Sequence, residues 1–389
     1  MDKSDKIERK MNMQKIIKLI LIIGIIIGII GFFSFYIAED SFRKWVDINI
    51  LRKEITMKDA VLVDLNTAKN NQIFAYSKYI AVLSNKKLSL YTGNGENVSN
   101  IDTDISNAVY DSSEKYFAIA ESKGKNFSIV FDKNYMWSGT EEGEISQIHI
   151  NSNGYVAVVS SDTTYKAIIS MYNSSGKLLF KKYFANNRII DLNISKDNKY
   201  IAIGEADISG ATIQSSVKIM SIEKAQKKEE EDIINTYSEN KDKLLTNITY
   251  ESNGNIVCMY NNLVTVIKNN EEKSIFEINS QVTFLSTELN NHIVYLEEVK
   301  EGILSKDTMV HIIDAENLQE NKYQLNEVAK KLDTNGNTIA INVGTDIYFF
   351  NSKGWLVKKY YSNKEITNFV FSDNIAGIVY KDKVEIINL

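Results

Sequence analysis

The chain has 389 residues, a formal net charge of −5, no proline and a single cysteine, Cys258. One cysteine excludes an internal disulfide and any zinc site built on several thiolates. The first 18 residues hold six cations and three acids, which leaves the rest of the chain at −8, so nucleic acid is not an expected partner.

Leu19 to Ala38 is a run of 20 uncharged, mostly apolar residues, long enough to cross a hydrocarbon layer of about 30 Å as a helix. A cleaved signal peptide would have a shorter apolar region and small residues at its exit; here the exit is Phe35-Tyr36-Ile37-Ala38. The expectation is an uncleaved anchor in contact with the lipid bilayer through residues 19–38. Residues 1–18 then form a short basic cytoplasmic head, because translocating its six cations is disfavoured. The body lies outside the cell membrane. Gly24 and Gly28 make a G-x-x-x-G pair that suits a homodimer of membrane helices. Residues 39–58 read as a stalk, with Trp45 near the bilayer exit.

Beyond the stalk one pattern recurs. Leu192 and Ile194 alternate into a polar turn, Lys196-Asp197-Asn198-Lys199, and a second strand starts at Tyr200 with Ile201-Ala202-Ile203. Equivalent second strands begin at positions 79, 116, 155, 255, 292, 338 and 374, which makes eight copies at intervals of 36 to 55 residues. A period near 42 built of short alternating strands belongs to propeller blades, about 40–45 residues each. Turns such as Thr92-Gly93-Asn94-Gly95, Asn173-Ser174-Ser175-Gly176 and Asn351-Ser352-Lys353-Gly354 supply the positive φ that tight hairpins need.

The last copy ends one strand short, and the 60–65 segment precedes the first copy with no blade of its own. It is expected to complete the last blade and close the ring, leaving no open sheet edge. The fold class is therefore all-β. It is a β-propeller over residues 59–389 with eight blades, seven being the fallback, of four-stranded antiparallel sheets behind one transmembrane helix. The charge run from Glu223 to Asp232 is expected as a solvated helical turn or loop between third and fourth strands.

The unit from Ile194 to Ile203 resembles the blade motif of WD40-like and quinoprotein-like β-propellers, with Lys196 where a proline is usual and Asn198 where a glycine is usual. No Gly-His or Trp-Asp pair occurs in any copy. The layout of basic head, one membrane helix and propeller resembles single-pass proteins of Gram-positive bacteria grouped under a domain of unknown function. That resemblance implies a fold and carries no activity.

The search for chemistry finds no catalytic, cofactor-binding or metal site, so no cofactor is expected, and the residues of a binding site are not identifiable. His149, His292 and His311 lack metal-ligand spacing, and neither a G-x-S-x-G elbow nor a phosphate-binding glycine loop occurs. Asp333 to Asn337 has a faint calcium-loop look, but its twelfth position is Gly344 and its flanks are strands, so it reads as a turn. Cys258 sits in Ile256-Val257-Cys258-Met259 and reads as a small buried hydrophobe. The tyrosines at 79, 116, 155 and 200 recur at one blade position and suit contacts between blades, whereas Tyr172, Tyr360 and Tyr361 are candidates for a binding face.

The functional expectation is a membrane-anchored extracytoplasmic module that binds or scaffolds a protein, a peptide or a cell-envelope polymer, and that is not an enzyme. The alternatives are a propeller-face hydrolase or lyase, which needs two or three carboxylates converging on the axis, and a ligand sensor signalling through the helix.

Overall fold

The computed structural model describes residues 13–39, 42, 43, 46, 50, 61–64, 71–301, 305–362, 364 and 366–389. Among them, 32 strands form eight four-stranded antiparallel sheets. Blades 1 to 7 span residues 72–102, 108–140, 144–184, 187–237, 245–277, 282–325 and 331–361. Blade 8 spans 368–388 and takes its fourth strand from Val61–Asp64. Val61 pairs with Ile386 and Val63 with Val384, antiparallel. The eight-blade count is thus the correct one and the seven-blade fallback falls away. Residues 1–12, Trp45, most of the stalk, and Ala60 and Leu65 lie outside the described residues.

The second strands explain why the ring forms. Ile80, Ala81, Phe117, Ala118, Ile201 and Ala202 are all fully buried, as are their counterparts in the other blades, because a neighbouring blade covers each face of the sheet. A strand buried on both faces carries a continuous apolar run rather than an alternating one. Each of the eight hydrophobic clusters draws on two adjacent blades, and that between blades 8 and 1, with Val63, Ile80 and Ile386, closes the circle. The core is therefore eight wedges between blades.

First strands of adjacent blades lie side by side and surround the axis; the fourth strands form the rim. In blades 1 to 5 and 7 the third and fourth strands slip register by a bulge, as between Met171 and Tyr172. Bulges sharpen the twist of the outer edge. Gly176, at φ +82°, shows why one turn needs glycine: the Trp137 indole lies against it, and a Cβ there would stand 2.8 Å from the ring.

Two local expectations are modified. The charge run does form a helix, Ile222–Lys227, capped by Ser221 and ended by Lys228 at φ +60°, but it is not wholly solvated. Ile222 and Ala225 turn inward, and Asp232 is buried against Lys182 at 2.6 Å. The turn expected over Asp333 to Asn337 is shorter: Asp333–Asn335 belongs to the first strand of blade 7 and only Gly336 and Asn337 turn, because the strand pairs as far as Asn335 with Thr338.

Met13–Ala38 is an α-helix, and the 21 residues Lys18–Ala38 are long and apolar enough to span a membrane, with none of the span buried against the propeller.

Candidate binding site

Every blade-to-blade step around the axis is stitched by a polar side chain at or beside a first strand. Gln72 forms two bonds with the Ala108 backbone, at 2.6 and 3.2 Å. Ile150 N donates to Asp111 and Ile248 N to Asp191, both at 2.8 Å. Gln147 Nε2 donates to Ile190 O at 2.9 Å, Thr287 Oγ1 to Asn247 Oδ1 at 2.8 Å, and Asn335 Nδ2 to Phe371 O at 3.0 Å. Ser286 and Thr334 share a bond at 2.6 Å, and Ser372 Oγ reaches Ser77 O at 2.5 Å to join blade 8 to blade 1. A first strand has no ladder partner on its axial side, and these side chains take up part of that unmet demand.

The axis is also acidic. Asp111, Asp191, Glu288 and Asp333 come from blades 2, 4, 6 and 7. Burial pushes Asp111 up to about 7, opposed by the Ile150 and Ser112 N–H groups and aided by the charges of Glu288 and Asp191. Burial likewise takes Asp191 up to about 6 and Glu288 up to about 7. Asp333 is raised by burial and held back by Lys331, 3.4 Å away. Blades 2 and 6 face each other across a ring of eight, so the influence of Glu288 on Asp111 acts across the axis. Channel walls surround Glu288, yet its side chain stays open to solvent along the axis, with half-exposed Tyr110 beside it. Asp111 and Asp191 hold neighbouring blades, and Asp333 pairs with Lys331. Raised carboxyls near the axis are one part of what the hydrolase or lyase alternative calls for; no hydrogen bond joins any two of these four.

A second concavity lies on the flank, between the outer strands of blades 1 and 2. It is a groove of about 490 Å³, bordered by Asn100, Asp102, Asn126, Tyr135, Ser138 and Thr140 among others. Thr140 Oγ1 donates to Asn126 Oδ1 at 3.1 Å, and Tyr135 OH to Ser138 Oγ at 3.0 Å. Short hydroxyl and amide side chains share this lining with Ile101, Phe127 and Tyr135, so the groove offers both hydrogen bonds and some apolar contact. Sequence reasoning missed it, since its two walls lie about forty residues apart and only ring packing joins them.

The sequence candidates are dispersed. His149 lies in the first strand of blade 3, where burial lowers it to about 4, so it is neutral; its Nε2 is 3.3 Å from Gln147 Oε1. His292 opens the second strand of blade 6. His311, in the third strand of blade 6, stacks on Tyr295 and bonds Glu320 at 2.6 Å. The three do not converge, and no group of three or more His, Cys, Asp or Glu side chains among the described residues is placed to hold a metal ion. Cys258 is fully buried, and burial pushes its thiol up.

The tyrosine expectation divides. Tyr79, Tyr116, Tyr155 and Tyr200 all pack in clusters between blades, and Tyr79 OH donates to Asp132 of blade 2 at 2.8 Å. Tyr172 and Tyr360 do not line a face. Tyr172 is buried and donates to Glu141 at 2.7 Å, with Ser170 and Lys181 on the same carboxylate. Tyr360 is buried between Tyr380 and Glu385. A phenol paired with a carboxylate recurs as Tyr260–Glu272 and Tyr348–Glu327. These are buried polar partners for groups that sequence alone leaves unassigned. Only Tyr361 of the three is exposed. Trp137 Nε1 donates to Ser174 O at 3.1 Å and so joins blades 2 and 3.

A family match decides what the chain is related to. The model of a family of unknown function, DUF5711, matches residues 54–389. The chain belongs to that family. No curated relative matches it. Its fold is similar to BamB from Moraxella catarrhalis, at 12% identity over 85% of this chain and 100% of that one, with a TM-score of 0.50. The C-terminal WD40 domain of Sif2 is similar at 10% identity over 85% and 98%, with a TM-score of 0.55. Chaetomium thermophilum Sqt1, bound to the N-terminus of ribosomal protein L10, is similar at 10% identity over 85% and 100%, with a TM-score of 0.54. At such identities the likeness is one of fold. This DUF5711 member shares its propeller fold with BamB and with WD40 domains.

Proposed function

We propose that this DUF5711 protein is a binding or scaffold module held at the cell membrane by residues 18–38, with its basic head inside and its propeller outside. The observation that carries this reading is one apolar span, wholly exposed, on a chain whose remaining strands close into a ring. A closed ring leaves faces, channel mouths and flank grooves for a partner. Sqt1, a propeller of similar fold, is bound to the N-terminus of ribosomal protein L10, which supports a protein or peptide as the partner here. The polar groove between blades 1 and 2 suits an extended peptide or a hydroxyl-rich envelope polymer, which offers many hydrogen-bonding groups.

Photo-crosslinkers placed at Ser138 or Asn100, compared with one on the blade 5 rim at Lys273, test this in native membranes. A product specific to the two groove positions is expected. Identical products from all three positions would overturn the groove. Solubilisation by alkaline carbonate would overturn the anchor.

Two further features belong to the proposal. Gly24, Gly28 and Gly31 have nothing within 4 Å of where a Cβ would stand, so that helix face is open to a second copy. The axial carboxyls favour a hydrolytic second reading, in which Glu288, raised to about 7, acts as the acid; unchanged turnover in Glu288→Gln of any activity found would remove it.

A further inference from the structure

The apolar helix does not end in isolation. Glu39 N donates to Phe35 O and Arg43 N to Glu39 O, helix-type bonds that hold Arg43, and Phe42 beside it, close to the end of the helix. There Phe42 meets Phe32 and Phe35 edge-on, at centroid distances of 5.5 and 4.8 Å. On its other side it lies 6.4 Å from the indole of Trp355, and Lys353 Nζ sits 5.2 Å over that indole. Trp355 belongs to the turn between the third and fourth strands of blade 7. In an antiparallel blade this turn and the turn between strands one and two emerge at the same end. The helix therefore reaches the ring at the face bearing those turns.

We propose that this face, at blade 7, is a membrane-contact surface: Trp355 seats in the headgroup layer of the phospholipid bilayer, Lys353 meets lipid phosphate, and Phe42 joins both to the helix. An indole has an apolar body and one N–H, which suits the boundary between hydrocarbon and water, and lysine beside it can reach phosphate. A span of 21 residues is about 30 Å long, so the bilayer edge falls near Ala38, within a helical turn or two of Phe42. The opposite face, with its hairpins between second and third strands, is then turned away from lipid, and the flank groove stays open to the partner. This inference rests on the membrane reading above.

The test uses the full chain in phosphatidylcholine–phosphatidylglycerol vesicles whose acyl chains are brominated near the headgroup or near the bilayer centre. Subtracting the emission of Trp355→Phe from that of the wild type isolates the signal of Trp355. Loss of that signal with shallow bromine, and its retention with deep bromine, is expected. As a second measurement, the Phe42→Cys/Trp355→Cys pair is expected to crosslink with a short bis-maleimide, the buried Cys258 not competing. An unquenched Trp355 and no crosslink, in a chain that still resists carbonate extraction, would overturn the seating while leaving the anchor intact. Extraction by carbonate would overturn both.

Discussion

Asn198 shows how a single residue can serve both turn and interface. At φ +60° it occupies the left-handed position where related blade motifs carry glycine, and asparagine tolerates that region better than most residues. Its amide oxygen also accepts from Asn151 Nδ2 of blade 3 at 2.6 Å and from Asn153 Nδ2 at 3.3 Å. Glycine would relieve the backbone but lose the bonds between blades, worth about 1 kcal/mol net. Asn198→Gly is therefore expected to lower the thermal midpoint by about 2 °C; a higher midpoint in calorimetry would show that backbone relief outweighs the stitch. The turn was legible in the sequence because Asn, Asp and Ser signal turns locally. Its partners were not, because Asn151 sits 47 residues away along the chain.

Among the elements, Val61–Asp64 has the greatest leverage. It is only four residues long, yet it supplies the rim strand of blade 8 and buries Val63 between blades 8 and 1. Without it, Lys383–Asn388 becomes a free edge that can pair with another copy, a recognised route to aggregation. Comparing residues 59–389 with residues 71–389, the longer form is expected to be monomeric by size-exclusion chromatography. The shorter is expected to be destabilised by about 2–3 kcal/mol and prone to association. Equal stability and equal monodispersity would mean that the strand contributes nothing. The second strands were readable directly, since burial on both faces imposes the same Ile-Ala-Ile type of run on many blades. First strands were harder to read. Their polar residues, Gln72, Asp111, Gln147, Asp191 and Asn247, look like ordinary solvated positions until adjacent blades supply their partners.

At the scale of the whole molecule, the acidic axis sets a pH response. Asp111, Asp191 and Glu288 have carboxyls raised to about 7, 6 and 7, and Glu251, buried at a blade turn, is raised to about 8. A carboxyl raised on folding binds its proton more tightly in the native state. Stability from it is therefore full below the ordinary carboxylate range and is lost as pH rises through the folded value. Between pH 5 and pH 7.5 the propeller is expected to lose stability, seen as a falling thermal midpoint of the detergent-solubilised chain. Glu288→Gln should flatten that slope, because an amide does not titrate. A midpoint that rises over this interval, or an unchanged slope in the variant, would show that the axis is better solvated than the geometry indicates.

By itself the sequence determined the elements and their number: one apolar helix, eight repeated hairpins, polar turns in place of proline, and no local motif for metal or cofactor chemistry. Those features depend on periodicity and on residues a few positions apart, so they are written along the chain. Only the tertiary structure decided that Tyr172 and Tyr360 are interior partners of carboxylates. It also joined four acids from separate blades at one axis, formed a polar groove from two rims, and set Trp355 beside the end of the helix. Each of these depends on which side chains neighbouring blades bring together, and those partners lie dozens of residues apart, beyond the reach of any local pattern.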